Sequence, residues 1–303
     1  MQTIGITGGT GFIGHHLANH LVSNGYKVII FTRDVAGHTP GQFIDYALWD
    51  TGSKAADINA FKQLDGIIHL AGAGIADKRW TKDRKKEIRD SRVDGTQYLV
   101  RLLKEHAPGC KTFISASAIG YYGPDNGNSP FTETAPHYND FLSNVCVQWE
   151  QASNDIEPEM RRVIFRFGIV LGKESGAFPQ FANPVKWGVM PVLGGGQQVI
   201  SWIHIADLTG MILFALQQNE LTGVYNAVAP QPVSQKAMMQ TIGHSLGGIR
   251  IPVPVPAAAL KLAMGEMSIE VLKSATVSCQ KIVAAGFNFQ YSSIEQAVAD
   301  ILK

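Results

Sequence analysis

The 303-residue chain carries 26 Lys and Arg against 25 Asp and Glu, a formal net charge of +1, and is 45% hydrophobic. So balanced a charge leaves no electrostatic footprint for nucleic acid or an anionic membrane; no apolar run can span a bilayer, and the N-terminus lacks the basic stretch and long apolar segment of a signal peptide. A cytoplasmic protein is expected, and Cys110, Cys146 and Cys279, odd in number and far apart, indicate neither a disulfide framework nor a metal site.

The first element is an apolar strand, Thr3–Thr7, running into Gly8-Gly9-Thr10-Gly11-Phe12-Ile13-Gly14 and a helix that starts near Phe12. In this context Gly8 takes the tight turn, Gly11 leaves the backbone bare for a pyrophosphate, and Gly14 lets the helix pack close to the sheet. The unpaired N–H groups of the first helical turn form an anion site that needs no basic side chain. Gly8, Thr10, Gly11, Phe12, Ile13 and Gly14 are therefore candidate cofactor residues. A second strand, Lys27–Thr32, ends at Thr32-Arg33, where an NAD site would present an acid to the adenosine ribose. Arg33 suits the 2′-phosphate of NADP, and Thr32 offers a hydroxyl. Asp34 follows directly and keeps NAD open as the lesser alternative.

Strands are predicted at Phe43–Leu48, Gly66–Ala71, Lys111–Ser117, Arg162–Leu171 and Gly223–Val228, with long helices at Thr81–Glu105 and Asn139–Glu157. The alternation is that of βαβ units. It gives the fold class α/β, a Rossmann-like doubly wound parallel sheet over residues 1–171 with a smaller C-terminal α/β lobe over 172–303. The strand Gly223–Val228 is free to rejoin the main domain. Within the second part, Phe178–Gly196 is rich in Gly and Pro, Ala206–Gln217 reads as a helix, and the alternate prolines of Ile251–Pro256 dictate an extended edge or connecting segment.

The motifs Thr7-Gly8-Gly9-Thr10-Gly11-Phe12-Ile13-Gly14, His69-Leu70-Ala71-Gly72 and Tyr122-Gly123 resemble the extended short-chain dehydrogenase/reductase superfamily, the NAD-dependent epimerase/dehydratase family. Arg79-Trp80, Ser91-Arg92, the run Ser115 to Gly123, Trp202-Ile203-His204 and Gly265-Glu266-Met267 make the chain similar to its atypical epimerase-like branch. The resemblance implies NADP(H) as cofactor, with Leu70, Ala71 and Gly72 lining the adenine-ribose side. It also implies that Arg92 stands where extended members usually carry an asparagine, adding a cation near the cofactor. Glu87, earlier on the same helix, is the candidate partner of Arg92, and both are counted with the cofactor site.

The superfamily's proton chemistry uses a tyrosine and a lysine four residues later, and this chain contains no Tyr-x-x-x-Lys. Alignment on Glu150 puts Leu142 at the tyrosine's place and Cys146 at the lysine's. Ser117, Tyr122 and His204 are the remaining catalytic candidates, each with a packed or hydrogen-bonded alternative. A pocket is expected between Ser117, Tyr122 and the Trp202–His204 segment, while Asp207 reads as a helix cap and Arg166 as a charge that must have a partner. Two functions stay open. One is an oxidoreductase or nucleotide-sugar epimerase acting on an unidentified small molecule; the other is a noncatalytic NADP(H)-binding sensor that regulates a protein partner.

Overall fold

The computed structural model describes residues 1–127 and 129–303. Its first strands and helices are β1 (Thr3–Thr7), α1 (Phe12–Ser23), β2 (Lys27–Thr32), β3 (Ile44–Asp50), β4 (Ala55–Ala56), α2 (Ile58–Phe61), β5 (Gly66–His69), α3 (Lys82–His106), β6 (Thr112–Ala118), α4 (Phe141–Gln151) and β7 (Arg161–Phe167). There follow β8 (Ile169–Leu171), α5 (Phe178–Lys186), β9 (Val189–Leu193), β10 (Val199–Ile200), β11 (Trp202–His204), α6 (Ile205–Gln217), β12 (Gly223–Ala227), β13 (Val233–Ser234), α7 (Gln235–Leu246) and β14 (Ile251–Val255). The chain closes with α8 (Ala257–Met264), α9 (Ser268–Leu272), α10 (Gln280–Ala284) and α11 (Ile294–Ile301).

An eight-stranded sheet in the order β12-β7-β6-β5-β1-β2-β3-β4 forms the centre, parallel except for β4. Its central strands are near-continuous apolar runs because helices cover both faces. On one face Leu17 and Leu21 of α1 meet Leu208, Met211 and Ile212 of α6; on the other, Leu99, Leu102 and Leu103 of α3 pack with Phe61. A third apolar cluster, with Trp202, Phe178, Met238, Ile242 and Val298, lies in the C-terminal half. Among the described residues, no helix is long and apolar enough to cross a membrane.

Two elements differ from their predicted form. The run expected as one strand, Arg162–Leu171, is two: β7 pairs in the main sheet, whereas β8 turns away to pair with β11. The break is at Gly168, where a Cβ would lie 2.6 Å from the Ser201 carbonyl oxygen, so the close approach of the two backbones needs glycine. The helix expected over Asn139–Glu157 begins at Phe141, where the Asp140 carboxylate caps it by accepting from Ser143 N at 2.9 Å, and ends at Gln151 before a short 3-10 turn. The proline-alternating segment is β14, paired in parallel with β9 in a two-stranded ribbon.

Candidate cofactor crevice and the polar row beside it

The turn after β1 is built by removing side chains. Gly8 holds φ +71°, and a Cβ there would meet Ala71 N at 2.9 Å; on Gly14 a Cβ would run into the Gly8 carbonyl. α1 can therefore start against the strand it follows. Gly11 is exposed, and a Cβ there would touch only Gly8 O, at 3.4 Å. No side chain caps α1 and no acid sits in its first turn, so the N–H groups of Phe12 and Ile13 and the positive dipole end stay free for an anion. Thr10 is exposed beside them. The Phe12 ring packs where any side chain on Gly172 would stand, which ties the start of α1 to the segment after β8.

Beyond β2, Arg33 is exposed and makes no ion pair with any described residue. The Asp34 carboxylate instead accepts from Gly37 N at 2.9 Å, and Thr32 Oγ1 accepts from Asp34 N at 3.2 Å. Beneath the crevice, Thr96 Oγ1 donates to Arg92 O at 2.6 Å, so it accepts from His69 Nε2 at 2.9 Å, and His69 Nδ1 in turn accepts from Thr7 Oγ1 at 2.6 Å. Burial, then the Arg92 charge, lowers His69 to about 3, which keeps the ring neutral and this donor direction fixed. Leu70 N continues the ladder to Thr7 O, Ala71 abuts Gly8, and Gly72 is exposed.

Glu87 does not pair with Arg92. It lies 2.7 Å from Arg84 Nη1 at i,i+3 spacing, on the exposed side of α3, while Arg92 turns inward beneath Gly72. Arg92 Nη1 donates to the carbonyls of Ala73 at 3.0 Å and Ile88 at 3.1 Å, and its guanidinium lies 5.1 Å over the Trp149 ring. Leu142 and Cys146 pack under Gly120. Burial, aided by the Glu150 charge, pushes the Cys146 thiol up to about 12, so it is a neutral group.

Beyond β6 the arrangement is the opposite. In the sheet register, Ser117 faces Arg166, and Arg166 faces Asn226, so three strands bring three polar side chains into one row. Ser117 Oγ donates to Glu150 Oε1 at 2.7 Å, and Arg166 grips both Glu150 oxygens at 2.8 Å. Arg166 Nη1 donates to the Tyr122 hydroxyl at 2.8 Å, which donates to Asn226 Oδ1 at 2.8 Å. Burial opposes the charge of Arg166, but Glu150 outweighs it and holds the guanidinium well above its ordinary pKa. The Tyr122 phenol is pushed up to about 12 by burial, against the pull of Arg166, and its ring stacks on Phe131 at 5.2 Å.

His204 is sealed elsewhere. Its Nδ1 accepts from Ala206 N at 3.2 Å, capping α6, while the ring packs 3.9 Å from that of Tyr291 and Nε2 stands 3.6 Å from Asp300. Burial lowers it to about 4, with Asp300 opposing. Trp202 is fully buried in the third apolar cluster and donates to Gln231 O at 2.9 Å. At the place where a pocket is expected between Ser117, Tyr122 and Trp202–His204, the polar side chains are turned to partners within the chain. Tyr122 and Trp202 belong to different packed clusters, and their polar atoms are turned to separate partners. Asp207 does not cap α6 with its side chain; its carboxylate accepts from Gln290 N at 2.7 Å and Tyr291 N at 3.0 Å.

Two residues of the row, Glu150 and Asn226, are absent from the candidates read in the sequence. The signal for Glu150 was Arg166, a charge inside an apolar strand; Asn226 gave none. The structure also brings together the distant motifs Arg79-Trp80 and Gly265-Glu266-Met267. Gly265, at φ +62°, lies against the Arg79 guanidinium, Lys85 pairs with Glu266, and Trp80 meets Phe141 edge-on at 5.2 Å.

A parallel sheet wound on both faces, with a glycine turn and an uncapped helix N-terminus at the carboxyl end of its central strand, defines a dinucleotide-binding class of α/β protein. Comparison makes this specific. The family model described as NAD dependent epimerase/dehydratase family matches residues 4–227, a domain of unknown function, DUF1731, matches 255–301, and the chain belongs to the epimerase/dehydratase family. It is 35% identical to the epimerase family protein YfhF of Bacillus subtilis (strain 168) over 302 residues, 99% of this chain and 98% of that one. The human epimerase family protein SDR39U1 (isoform 2), solved with NADPH, superposes with a TM-score of 0.87 at 30% identity, over 99% of both chains. A nucleoside-diphosphate sugar epimerase of Corynebacterium glutamicum superposes at 0.78 and 30% identity, over 99% of this chain and 58% of that one.

Proposed function

We propose that the chain is an NADP(H)-dependent, cytoplasmic oxidoreductase of this family that acts on a small molecule without the usual tyrosine and lysine. The observation that carries the reading is the open glycine turn with its uncapped helix. In this reading the Gly8–Gly14 backbone holds the pyrophosphate, Leu70, Ala71 and Gly72 border the adenine ribose, and Thr32 and Arg33 hold the 2′-phosphate. The bound nicotinamide supplies a hydride donor or acceptor. NADP is favoured over NAD because Arg33 makes no ion pair with a described residue while Asp34 is engaged by Gly37, and the human relative solved with NADPH supports it. Ser117 and Tyr122 then fix the floor beyond β6 through Glu150 and Arg166, His204 holds α6, and the proton for the reaction comes from substrate or water.

A noncatalytic NADP(H)-binding protein that regulates a partner is the second reading. It is favoured by Leu142 and the neutral Cys146, which offer no proton and no field at the usual place. One experiment separates the two: titration with NADPH and NADH, then reoxidation of the bound NADPH by carbonyl compounds, keto-sugar nucleotides among them. NADPH binding tighter by about 10- to 100-fold, lost in Arg33→Asp, is expected from a charge-assisted phosphate contact. Equal affinities overturn the choice of cofactor, and NADPH that no acceptor reoxidises gives precedence to the second reading.

A further inference from the structure

The motif Arg79-Trp80 and the turn Gly265–Met267 have no part in the cofactor crevice, yet the fold brings them together at the first turn of α4. Residues 78–86 carry six cations against one acid. Three of these cations are neutralised, Arg84 by Glu87 and Asp77, Lys85 by Glu266, and Lys86 by Asp90. On the lobe, Lys273 is held by Glu270 at 2.8 Å and by Asp140, the cap of α4, at 3.6 Å. The exposed Arg79 side chain makes no ion pair and no hydrogen bond with a described residue, and its neighbours Lys78 and Lys82 have no ion pair that would offset its charge.

Arg79 is nonetheless seated. A Cβ on Gly265 would stand 2.8 Å from its Nε and 3.1 Å from its Nη2, so the guanidinium lies on bare backbone, at a φ of +62° that favours glycine. The adjoining Trp80 is anchored by Nε1, which donates to Ile75 O at 2.9 Å, and by its edge contact with Phe141. A guanidinium placed this way with its fork unused suits a planar carboxylate or a phosphate supplied from outside the chain.

Its location says which molecule brings that anion. Phe141 precedes Leu142, the residue at the superfamily tyrosine's place. Leu142 packs under Gly120, and Ser143 Oγ donates to Tyr121 O at 2.8 Å, so the first turn of α4 lies against the turn beyond β6. In the reading above, the phosphates of the cofactor are held beyond β1 and β2, on the other side of β5 in the sheet order. Arg79 follows β5 and stands with α4 and the lobe, so the anion it meets belongs to the substrate.

We propose that Arg79 binds an anionic group of the substrate, so that the site takes a small carbonyl compound carrying a carboxylate or a phosphate. This inference rests on the oxidoreductase reading above and names its substrate class.

The test compares two matched pairs of aldehydes on the full chain, succinic semialdehyde with butanal and glyceraldehyde 3-phosphate with glyceraldehyde. In the reaction followed, the aldehyde carbon takes the hydride of NADPH and its oxygen a proton from water, leaving the alcohol and NADP+. A second measurement needs no turnover: calorimetric titration of the two anionic aldehydes into the chain loaded with NADP+, which has no hydride to give. The parent favours the charged member of one pair by about 10- to 100-fold in kcat/KM, and the pair that shows it tells carboxylate from phosphate. Arg79→Gln removes that preference through KM and weakens calorimetric binding by a similar factor, while NADPH binds within about twofold of the parent; Arg79→Lys restores part of the preference. A merely structural Arg79 predicts equal effects on charged and neutral aldehydes. No preference for either charged aldehyde, or a preference that survives in Arg79→Gln, overturns the inference, while turnover of the neutral aldehydes leaves the oxidoreductase reading standing. A parent that binds NADPH but reduces none of the four gives precedence to the second reading; calorimetric binding by neither anion then overturns the inference as well, and binding that is lost in Arg79→Gln upholds it.

Discussion

The glycine turn after β1 and the polar row of β6, β7 and β12 stand at the carboxyl end of one sheet and are made in opposite ways. At the first, glycines make room and the N–H groups of Phe12 and Ile13 donate to no described residue. At the second, Ser117, Glu150, Arg166, Tyr122 and Asn226 use one another's donors and acceptors. Polar atoms in a protein do not bind in proportion to their number. A group already satisfied within the chain fixes local structure, and an outside ligand must displace its partner first; a group left open has nothing to give up.

Breaking the closed row gives the largest expected effect. Arg166→Met leaves the half-enclosed Glu150 carboxylate without its cation and costs about 3–5 kcal/mol of stability, readable by urea denaturation. The NADPH affinity of the folded fraction stays within a few-fold of the parent. A selective loss of NADPH binding with unchanged stability would reverse the roles of the two regions.

A second closed group responds to acid. Because burial depresses His204 to about 4 in the folded chain, the native state binds fewer protons than the unfolded chain between pH 6.5 and 4. Its contribution is complete above pH 6.5 and is lost as pH falls, by about 2–3 kcal/mol at pH 4. His204→Asn keeps a residue able to cap α6 but removes the titration. The stability–pH curve of that variant is therefore flatter over this range; parallel curves would exclude His204 as the source.

Opening to closing is tested in the other direction at Gly14. Adding one methyl in Gly14→Ala forces α1 away from the Gly8 carbonyl, with a stability cost of about 1–3 kcal/mol. NADPH binding falls disproportionately, since the N–H groups of the first turn move with the helix. A chain equally stable and equally able to bind NADPH would remove the geometric basis of the cofactor reading.

What the sequence made legible divides along the same line. The glycine turn is local, so spacing alone reports it, and Arg33 follows from the end of a strand that spacing also reports. The row depends on register between β6, β7 and β12, and no short-range pattern places Asn226 opposite Arg166. Burial of Arg166 was legible as a charge in need of a partner; which partner was not. The partner of Glu87 follows from helix spacing: it is three residues from Arg84 and five from Arg92, and that spacing favours the nearer pair. Gly168 stands inside an apolar run whose composition is strand-like on both sides, so only the crowding by Ser201 reveals that the chain changes sheets there.

The position of β12 bears on how the protein is made. When Phe167 has left the ribosome, six parallel strands of the main sheet are available, but the outer edge of β7 lacks its neighbour until Gly223–Ala227 emerges. Over that interval the nascent chain presents unpaired backbone N–H and C=O groups beside Arg166, whose row is still without Asn226. Such an edge is a template for pairing with another chain. A fragment ending at Leu171 would keep the exposed edge permanently, so synthesis that stalls before residue 227 yields a product inclined to aggregate rather than a smaller dinucleotide-binding unit.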